Sequence, residues 1–244
     1  MKSAVLKEYF GEQVRRCQET LGKLRERTTK KRIYKLRVGL RRLRTILEVL
    51  DRNRAPVLSE EQRLELAKIW KELGYLRDVD VAIALAKKFD LDRKELKRKR
   101  EGLRKGVEKV LQKRTLGEIL QTLSAAAREL DEAALEPKGL IKKLEQKVSG
   151  GFNHLKELHD LRILIKKVRY LSEGMGLLEP KLKRYQDVLG KLNDLDLFLE
   201  LHGPHPAVEL RRKSQFIKAF KDMPSARKQA LETLKALKAA AASK

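Results

Sequence analysis

Two segments of the sequence carry cationic side chains at the spacing that would hold an extended polyanion. They are KKRIYKLRVGLRRLRTILEVL, residues 30–50, and HDLRILIKKVRYL, residues 159–171. On a helix, these cations fall along one edge of an apolar face. The edges are called here the N-terminal stripe, Tyr34, Arg37, Arg41 and Arg44, and the C-terminal stripe, His159, Arg162, Lys166 and Arg169. Guanidiniums held in line repel one another unless an anion lies along them, so the pattern predicts a polyanion site.

The two stripes match position by position at an offset of 125 residues, from 34 to 159. The apolar arc expected to face the core behind the N-terminal stripe is Ile33, Leu36, Leu40, Leu43 and Leu47. In the second copy Leu161, Ile165 and Val168 replace Leu36, Leu40 and Leu43, and Lys167 stands where the first copy has Arg42. Arg42 is expected to point to the far side of its helix. A single stripe is more simply explained as a solvated helix edge with extended arginine stems. Two stripes in matching register favour binding.

The composition predicts a polyanionic partner without naming it. The chain of 244 residues has 58 Lys and Arg against 34 Asp and Glu, a formal net charge of +24. Nucleic acid, an anionic membrane surface or a phosphate polymer would each suit this excess. No apolar run is long enough for a signal peptide or a membrane span, so we expect a cytoplasmic protein. Cys17 is the only cysteine, which excludes an intrachain disulfide and a cysteine-rich metal site.

Helical periodicity dominates the sequence and predicts an all-α fold. Thr28 or Thr29 is placed to cap the helix of the N-terminal stripe, and Ser59 is placed to begin the next helix with a capping box. The expected inward positions of that next helix are Leu64, Ala67, Trp70, Leu73, Leu76 and Val79. Pro137 marks the expected boundary between an N-terminal half, residues 1–136, and a C-terminal half, residues 137–244. Pro224 is expected to interrupt or restart the last helix.

A second internal match supports duplication of the chain. The segment LGYLRDVD, residues 73–80, aligns with LGKLNDLD, residues 189–196, at an offset of 116. Each copy lies one helix after its basic stripe, so each half is predicted to hold about four helices. The two carboxylates of each Asp-x-Asp point about 200° apart on a helix and cannot readily grip one metal ion. We therefore expect Asp78 and Asp194 to orient neighbouring arginines, and no metal or cofactor is predicted.

With both motifs in view, the chain resembles the CHAD family, named for its conserved-histidine α-helical domain. The family pattern reads H-x-x-R-x-x-x-[RK]-[RK]-x-R, followed later by LG-x-x-[RN]-D. The second copy matches at His159, Arg162, Lys166, Lys167 and Arg169, then at Leu189, Gly190, Asn193 and Asp194. The first copy matches at Arg37, Arg41, Arg42 and Arg44, then at Leu73, Gly74, Arg77 and Asp78. It departs from the pattern at Tyr34, which cannot become cationic as histidine can.

The resemblance implies two four-helix bundles that bind inorganic polyphosphate in a basic groove or pore between them. The candidate binding residues are the two stripes with Arg42, Lys167, Lys183 and Arg184. We expect no enzyme activity, since none of the common catalytic motifs is present. Sequence-independent nucleic-acid binding is the alternative, although aromatic residues make up only 5% and form no stacking ladder. No membrane or dedicated protein partner is predicted, and polyphosphate granules are one place where the protein would meet its ligand.

Overall fold

A computed structural model of the chain describes residues 2–150, 155–177 and 179–242. Within those ranges every regular element is helical and no strand occurs. The all-α prediction is therefore confirmed. The helices are α1 Lys2–Glu26, α2 Lys30–Arg52, α3 Glu60–Lys88, α4 Lys94–Gln112, α5 Thr115–Glu129, α6 Lys138–Ser149, α7 Leu155–Gly174, α8 Pro180–His202 and α9 Pro206–Ala242, with a 3₁₀ helix at Glu132–Leu135.

The chain divides into two compact units. Leu6–Leu135 form the N-terminal unit, and Met1–Val5 with Glu136–Lys244 form the C-terminal unit. In its described part, the N-terminal unit has five α-helices where the sequence predicted about four. The additional helix arises because α4 ends at Gln112 and α5 begins at Thr115. At this break Arg25 of α1 donates hydrogen bonds to the carbonyl oxygens of Leu111 (3.0 Å) and Lys113 (2.8 Å). These bonds satisfy carbonyls that the end of α4 leaves open.

The helix α2 carries the N-terminal stripe and forms as predicted. Thr29 caps it, since its side-chain oxygen accepts the backbone N–H of Arg32. The apolar arc behind the stripe is buried at every predicted position, with exposed fractions of 7% or less at Ile33, Leu36, Leu40, Leu43 and Leu47. Burial of this arc fixes the rotation of α2 about its axis and therefore the direction in which the stripe points.

The helix α3 begins with the predicted capping box, in which Ser59 and Gln62 exchange side-chain and backbone hydrogen bonds. Its inward face is only partly as predicted. Leu73, Leu76 and Val79 are buried, but Leu64 is 57% exposed, Ala67 is also exposed and Trp70 is half-buried. Periodicity identifies which side of a helix faces the core, but it does not say how far along the helix its neighbours extend.

In the C-terminal unit, α7 carries the second stripe. It ends at Gly174. The sequence pattern places the end of this helix near Leu178, which lies outside the described residues. The backbone N–H of Leu177 closes this end by bonding the carbonyl of Ser172 at 2.9 Å. The helix α9 continues through Pro224 without a break. Proline removes the bond to the carbonyl four residues earlier, at the exposed Phe220, where water can replace it.

Candidate polyanion-binding surfaces

Arg37 is the most deeply placed member of the N-terminal stripe, with only 8% of its surface exposed. Its Nη1 donates hydrogen bonds to the carbonyl oxygens of Leu73 at 3.2 Å and Gly74 at 3.3 Å, which are the first two residues of the LG motif on α3. The two sequence motifs of this copy therefore meet through a side chain of one and the backbone of the other. Arg37 joins α2 to α3 and brings its positive charge to the edge of the buried face.

Trp70 lies beside the same stripe and was not singled out from the sequence as a site residue. The guanidinium carbons of Arg37 and Arg41 lie 5.8 Å and 5.5 Å from the centroid of its ring. Both distances are within the range of a cation–π interaction. Trp70 precedes Leu73 by three residues, so it shares a face of α3 with the LG motif. That spacing is the signal that could have identified it.

The remaining members of the N-terminal stripe are more accessible. Tyr34 is 62% exposed, Arg41 is half-buried and Arg44 is exposed. Neither Arg41 nor Arg44 has a carboxylate partner among the residues that the structure describes. Two guanidiniums with unused donors therefore lie along one edge of α2, where they can accept an anion.

The C-terminal stripe is held differently. His159 is exposed, and its Nδ1 lies 3.1 Å from Oδ1 of Asn193, a member of the LG motif on α8. Arg169 is half-buried. Its Nη1 lies 3.4 Å from a carboxylate oxygen of Glu173, and its guanidinium carbon lies 4.9 Å from the ring centroid of Tyr170. Arg162, Lys166 and Lys167 are also half-buried.

The Asp-x-Asp segments connect helices within each unit. Asp78 accepts a hydrogen bond from Arg77 at 3.2 Å, which confirms that this aspartate contacts a neighbouring arginine. The equivalent contact of Asp194 stays a prediction. The second aspartate of each segment accepts from an arginine on the next helix, Asp80 from Arg100 at 2.7 Å and Asp196 from Arg212. Asp80 is 5% exposed, so Arg100 balances a buried charge.

The model of the CHAD domain family matches residues 8–203 of the chain. The chain belongs to the CHAD family. It is similar in structure to the crystal structure of the CHAD domain from the plant Ricinus communis, with a TM-score of 0.69, 20% sequence identity, and coverage of 93% of this chain and 91% of that one. It is also similar to PptA from Streptomyces chartreusis, with a TM-score of 0.65, 15% identity, and coverage of 96% and 99% respectively. At these identities the similarity shows a shared fold. No curated protein matches the sequence.

Arg42, Lys183 and Arg184 are candidate residues outside the two stripes. Arg42 lines a pocket of about 620 Å³ between α1 and α2. Burial raises the pKa of the neighbouring Cys17 thiol to about 12, while the charge of Arg42 acts in the opposite direction. Arg184 lines a pocket of about 400 Å³ with residues of α9, and none of its described lining residues belongs to the C-terminal stripe. Lys183 is exposed.

Two other findings concern possible ligands and surroundings of this CHAD chain. Among residues 2–150, 155–177 and 179–242, no group of three or more His, Cys, Asp or Glu side chains is placed to hold a metal ion. None of the helices that the structure describes is both long enough and apolar enough to cross a membrane.

Proposed function

We propose that the protein binds inorganic polyphosphate without breaking it down, and that each unit contributes its stripe to the binding. The observation that carries the proposal is the pair of guanidiniums of Arg41 and Arg44, which have no carboxylate partner in the described part of the chain. The family to which the chain belongs supports the same ligand. The basic groove or pore between two bundles, which the resemblance implies, stays a prediction.

The chemistry of the stripes suits a polymer of phosphate. Such a chain carries about one negative charge per phosphate and has neither bases nor sugars, so it is held by charge-assisted hydrogen bonds alone. Arginine supplies a planar fork of donors that fits two phosphate oxygens at once, and lysine supplies a flexible point charge. Both kinds of cation occur along the stripes, spaced by one helical turn.

The experiment is a titration of long-chain polyphosphate into the wild type and into the double variant Arg41→Glu with Lys166→Glu. This variant reverses one charge in each stripe, at positions that correspond between the two copies. Both side chains are half-buried members of their stripes. We expect the affinity to fall roughly a hundredfold, because two attractive charges become repulsive ones. Arg37 is not suited to charge reversal because it is buried and bonded to α3.

The matched control is Lys97→Glu with Lys99→Glu, which makes the same change in net charge on exposed residues of α4. We expect this control to bind polyphosphate within about threefold of the wild type, because its lysines lie outside both stripes and screened charges contribute little. Equal losses in the two variants would show that only the net charge matters, and would overturn the stripe assignment.

A competition experiment tests the alternative function, sequence-independent nucleic-acid binding. Polyphosphate bound to the protein is challenged with single-stranded RNA at equal phosphate concentration and at raised salt. We expect RNA to displace little polyphosphate, because the stripes have no row of exposed aromatic rings on which bases could stack. Displacement at comparable concentration would favour the alternative.

The non-catalytic part of the proposal is tested separately. Polyphosphate is incubated with the protein and either Mg²⁺ or Mn²⁺, and free orthophosphate is measured over time. We expect no release above the protein-free control. Release that depends on the protein and the metal would replace the binding function with a hydrolase.

A further inference from the structure

The pocket between α1 and α2 has a strong excess of positive charge. Six cations line its volume of about 620 Å³, a size within the usual range of small-ligand sites. They are Arg16, Lys23, Lys31, Arg32, Lys35 and Arg42. Glu19 is the only acidic residue in the described lining. Among the described residues Lys23, Lys31 and Lys35 have no ion-pair partner. Such a group of ammonium ions attracts a compact anion of several charges.

The neighbouring helix ends add to this field. The pocket includes Thr29 and the first turn of α2, where the helix dipole is positive. The last turn of α1 has the opposite polarity, but the carbonyls of Lys23, Leu24 and Arg25 in that turn each accept a side-chain hydrogen bond. Nη1 of Arg32 donates to the carbonyl oxygens of Lys23 at 2.6 Å and Arg27 at 2.8 Å. The groups that would repel an anion are therefore bonded within the protein.

A buried amide in the same pocket lacks a hydrogen-bond partner. Gln13 is 2% exposed and lines the pocket, and its Oε1 is buried with no partner in the described part of the chain. A buried polar atom without a partner is costly and uncommon in folded proteins, which sets this pocket apart from an ordinary packed contact between helices.

The pocket borders the N-terminal stripe at Tyr34, but none of the three arginines of that stripe lines it, and it belongs to one copy of the repeat. On α2, Lys35 and Arg42 lie roughly 100° or more around the axis from Arg41. A Cβ atom at Gly39 would lie 2.5 Å from Sγ of Cys17, so glycine permits the close approach of α1 and α2 at the pocket. At the offset of 125 residues, Asp160 replaces Lys35 and Leu164 replaces Gly39. The second copy therefore carries neither the lysine nor the glycine on which the pocket depends.

We propose that this α1–α2 pocket is a second anion site, which binds a compact oligophosphate independently of the stripe arginines. The proposal goes beyond the polyphosphate function and does not rest on it. The ligand is expected to be compact because several charges converge on one pocket, whereas the charges of a stripe lie in a row along a helix edge. Tyr34 is its one aromatic residue in the described lining, which disfavours a ligand that depends on base stacking.

The test uses inorganic triphosphate as the probe and isothermal titration calorimetry at physiological salt. The pocket variant is Lys31→Glu with Lys35→Glu, two exposed residues whose replacement leaves the core intact. We expect its affinity for triphosphate to fall at least about tenfold, because two attractive charges in the pocket are reversed. The milder variant Lys23→Gln with Lys35→Gln should show a smaller loss in the same direction.

Two further variants make the result specific. The matched control, Lys97→Glu with Lys99→Glu, and the stripe variant, Arg41→Glu with Arg44→Glu, should each bind triphosphate within about threefold of the wild type. The proposal is overturned if the wild type does not bind triphosphate, if the pocket variant binds it normally, or if the stripe variant loses as much affinity. Long-chain polyphosphate is titrated in parallel, so a failure of the pocket is distinguished from a failure of the stripes.

Discussion

The N-terminal and C-terminal stripes have the same spacing in the sequence, but their neighbours differ. Arg41 and Arg44 have no carboxylate partner among the described residues, whereas Arg169 lies 3.4 Å from Glu173. Trp70 lies beside the N-terminal stripe, and at the offset of 116 residues Gln186 takes its place. Residue spacing therefore sets the direction of each cation. The neighbouring side chains determine how firmly the cation is held and how freely it can bind an anion.

The leading position of each stripe differs in a related way. In the C-terminal unit His159 contacts Asn193, so two motif residues form a polar pair. In the N-terminal unit the equivalent residues are Tyr34, which is 62% exposed, and Arg77, which is bonded to Asp78. The loss of histidine from the first copy is thus accompanied by an additional arginine. The first copy therefore has a tyrosine and an arginine where the second copy has the histidine–asparagine pair.

The largest expected effect on stability comes from replacing the buried Arg37. Arg37→Leu should lower the free energy of unfolding of the N-terminal unit by about 2 kcal/mol, because two charge-assisted bonds to α3 are lost. Urea denaturation followed by tryptophan fluorescence measures it, since Trp70 is the only tryptophan and lies in this unit. Arg44→Leu, at an exposed position, should change the same quantity by less than about 0.5 kcal/mol. Similar losses in both variants would contradict the structural distinction between these arginines.

The second largest effect is expected at Trp70, which Gln186 replaces in the C-terminal unit. Trp70→Gln makes the N-terminal unit resemble the C-terminal one at this position and removes the ring beside Arg37 and Arg41. We expect a loss of about 1 kcal/mol in stability, measured by circular dichroism, and a several-fold weaker affinity for polyphosphate. Trp70→Phe, which keeps an aromatic face, should recover part of both. An unchanged affinity in Trp70→Gln would remove Trp70 from the site.

The glycine of each LG motif offers a comparison in which the two units should behave alike. A Cβ atom at Gly74 or Gly190 would meet no heavy atom within 4 Å outside the local helix. Gly74→Ala and Gly190→Ala should therefore each stabilise the protein by up to about 1 kcal/mol, because alanine loses less backbone entropy in a helix. Thermal unfolding measures the change. Destabilisation in either variant would show that the helix must adjust there in a way that only glycine permits.

The smallest expected effect concerns the carboxylate beside the C-terminal stripe. Glu173→Gln removes the charge that competes with an anion for Arg169, so polyphosphate affinity should rise about two- to threefold. Glu95→Gln is the control, because it removes the same charge from the exposed pair that Glu95 forms with Arg98 on α4. A rise of equal size in both would attribute the gain to net charge. A fall in Glu173→Gln would show that the pair is needed to hold Arg169 in place.

The sequence by itself determined the helical class, the cap of α2 to within Thr28 or Thr29, the capping box at Ser59, the buried arc of α2 and the matching register of the stripes. These features depend on residue spacing within one helix, which sets the angle of each side chain about the axis. They also sufficed for the family resemblance, which the match over residues 8–203 confirmed.

The tertiary structure alone decided which of those side chains are buried and what they contact. It placed Arg37 against the carbonyls of α3, Trp70 beside two arginines and Arg42 in the pocket with Cys17. It also separated α4 from α5 at the point where Arg25 of α1 donates its hydrogen bonds. Each of these outcomes depends on how closely a second helix approaches, and that distance is set by packing between residues far apart in the sequence.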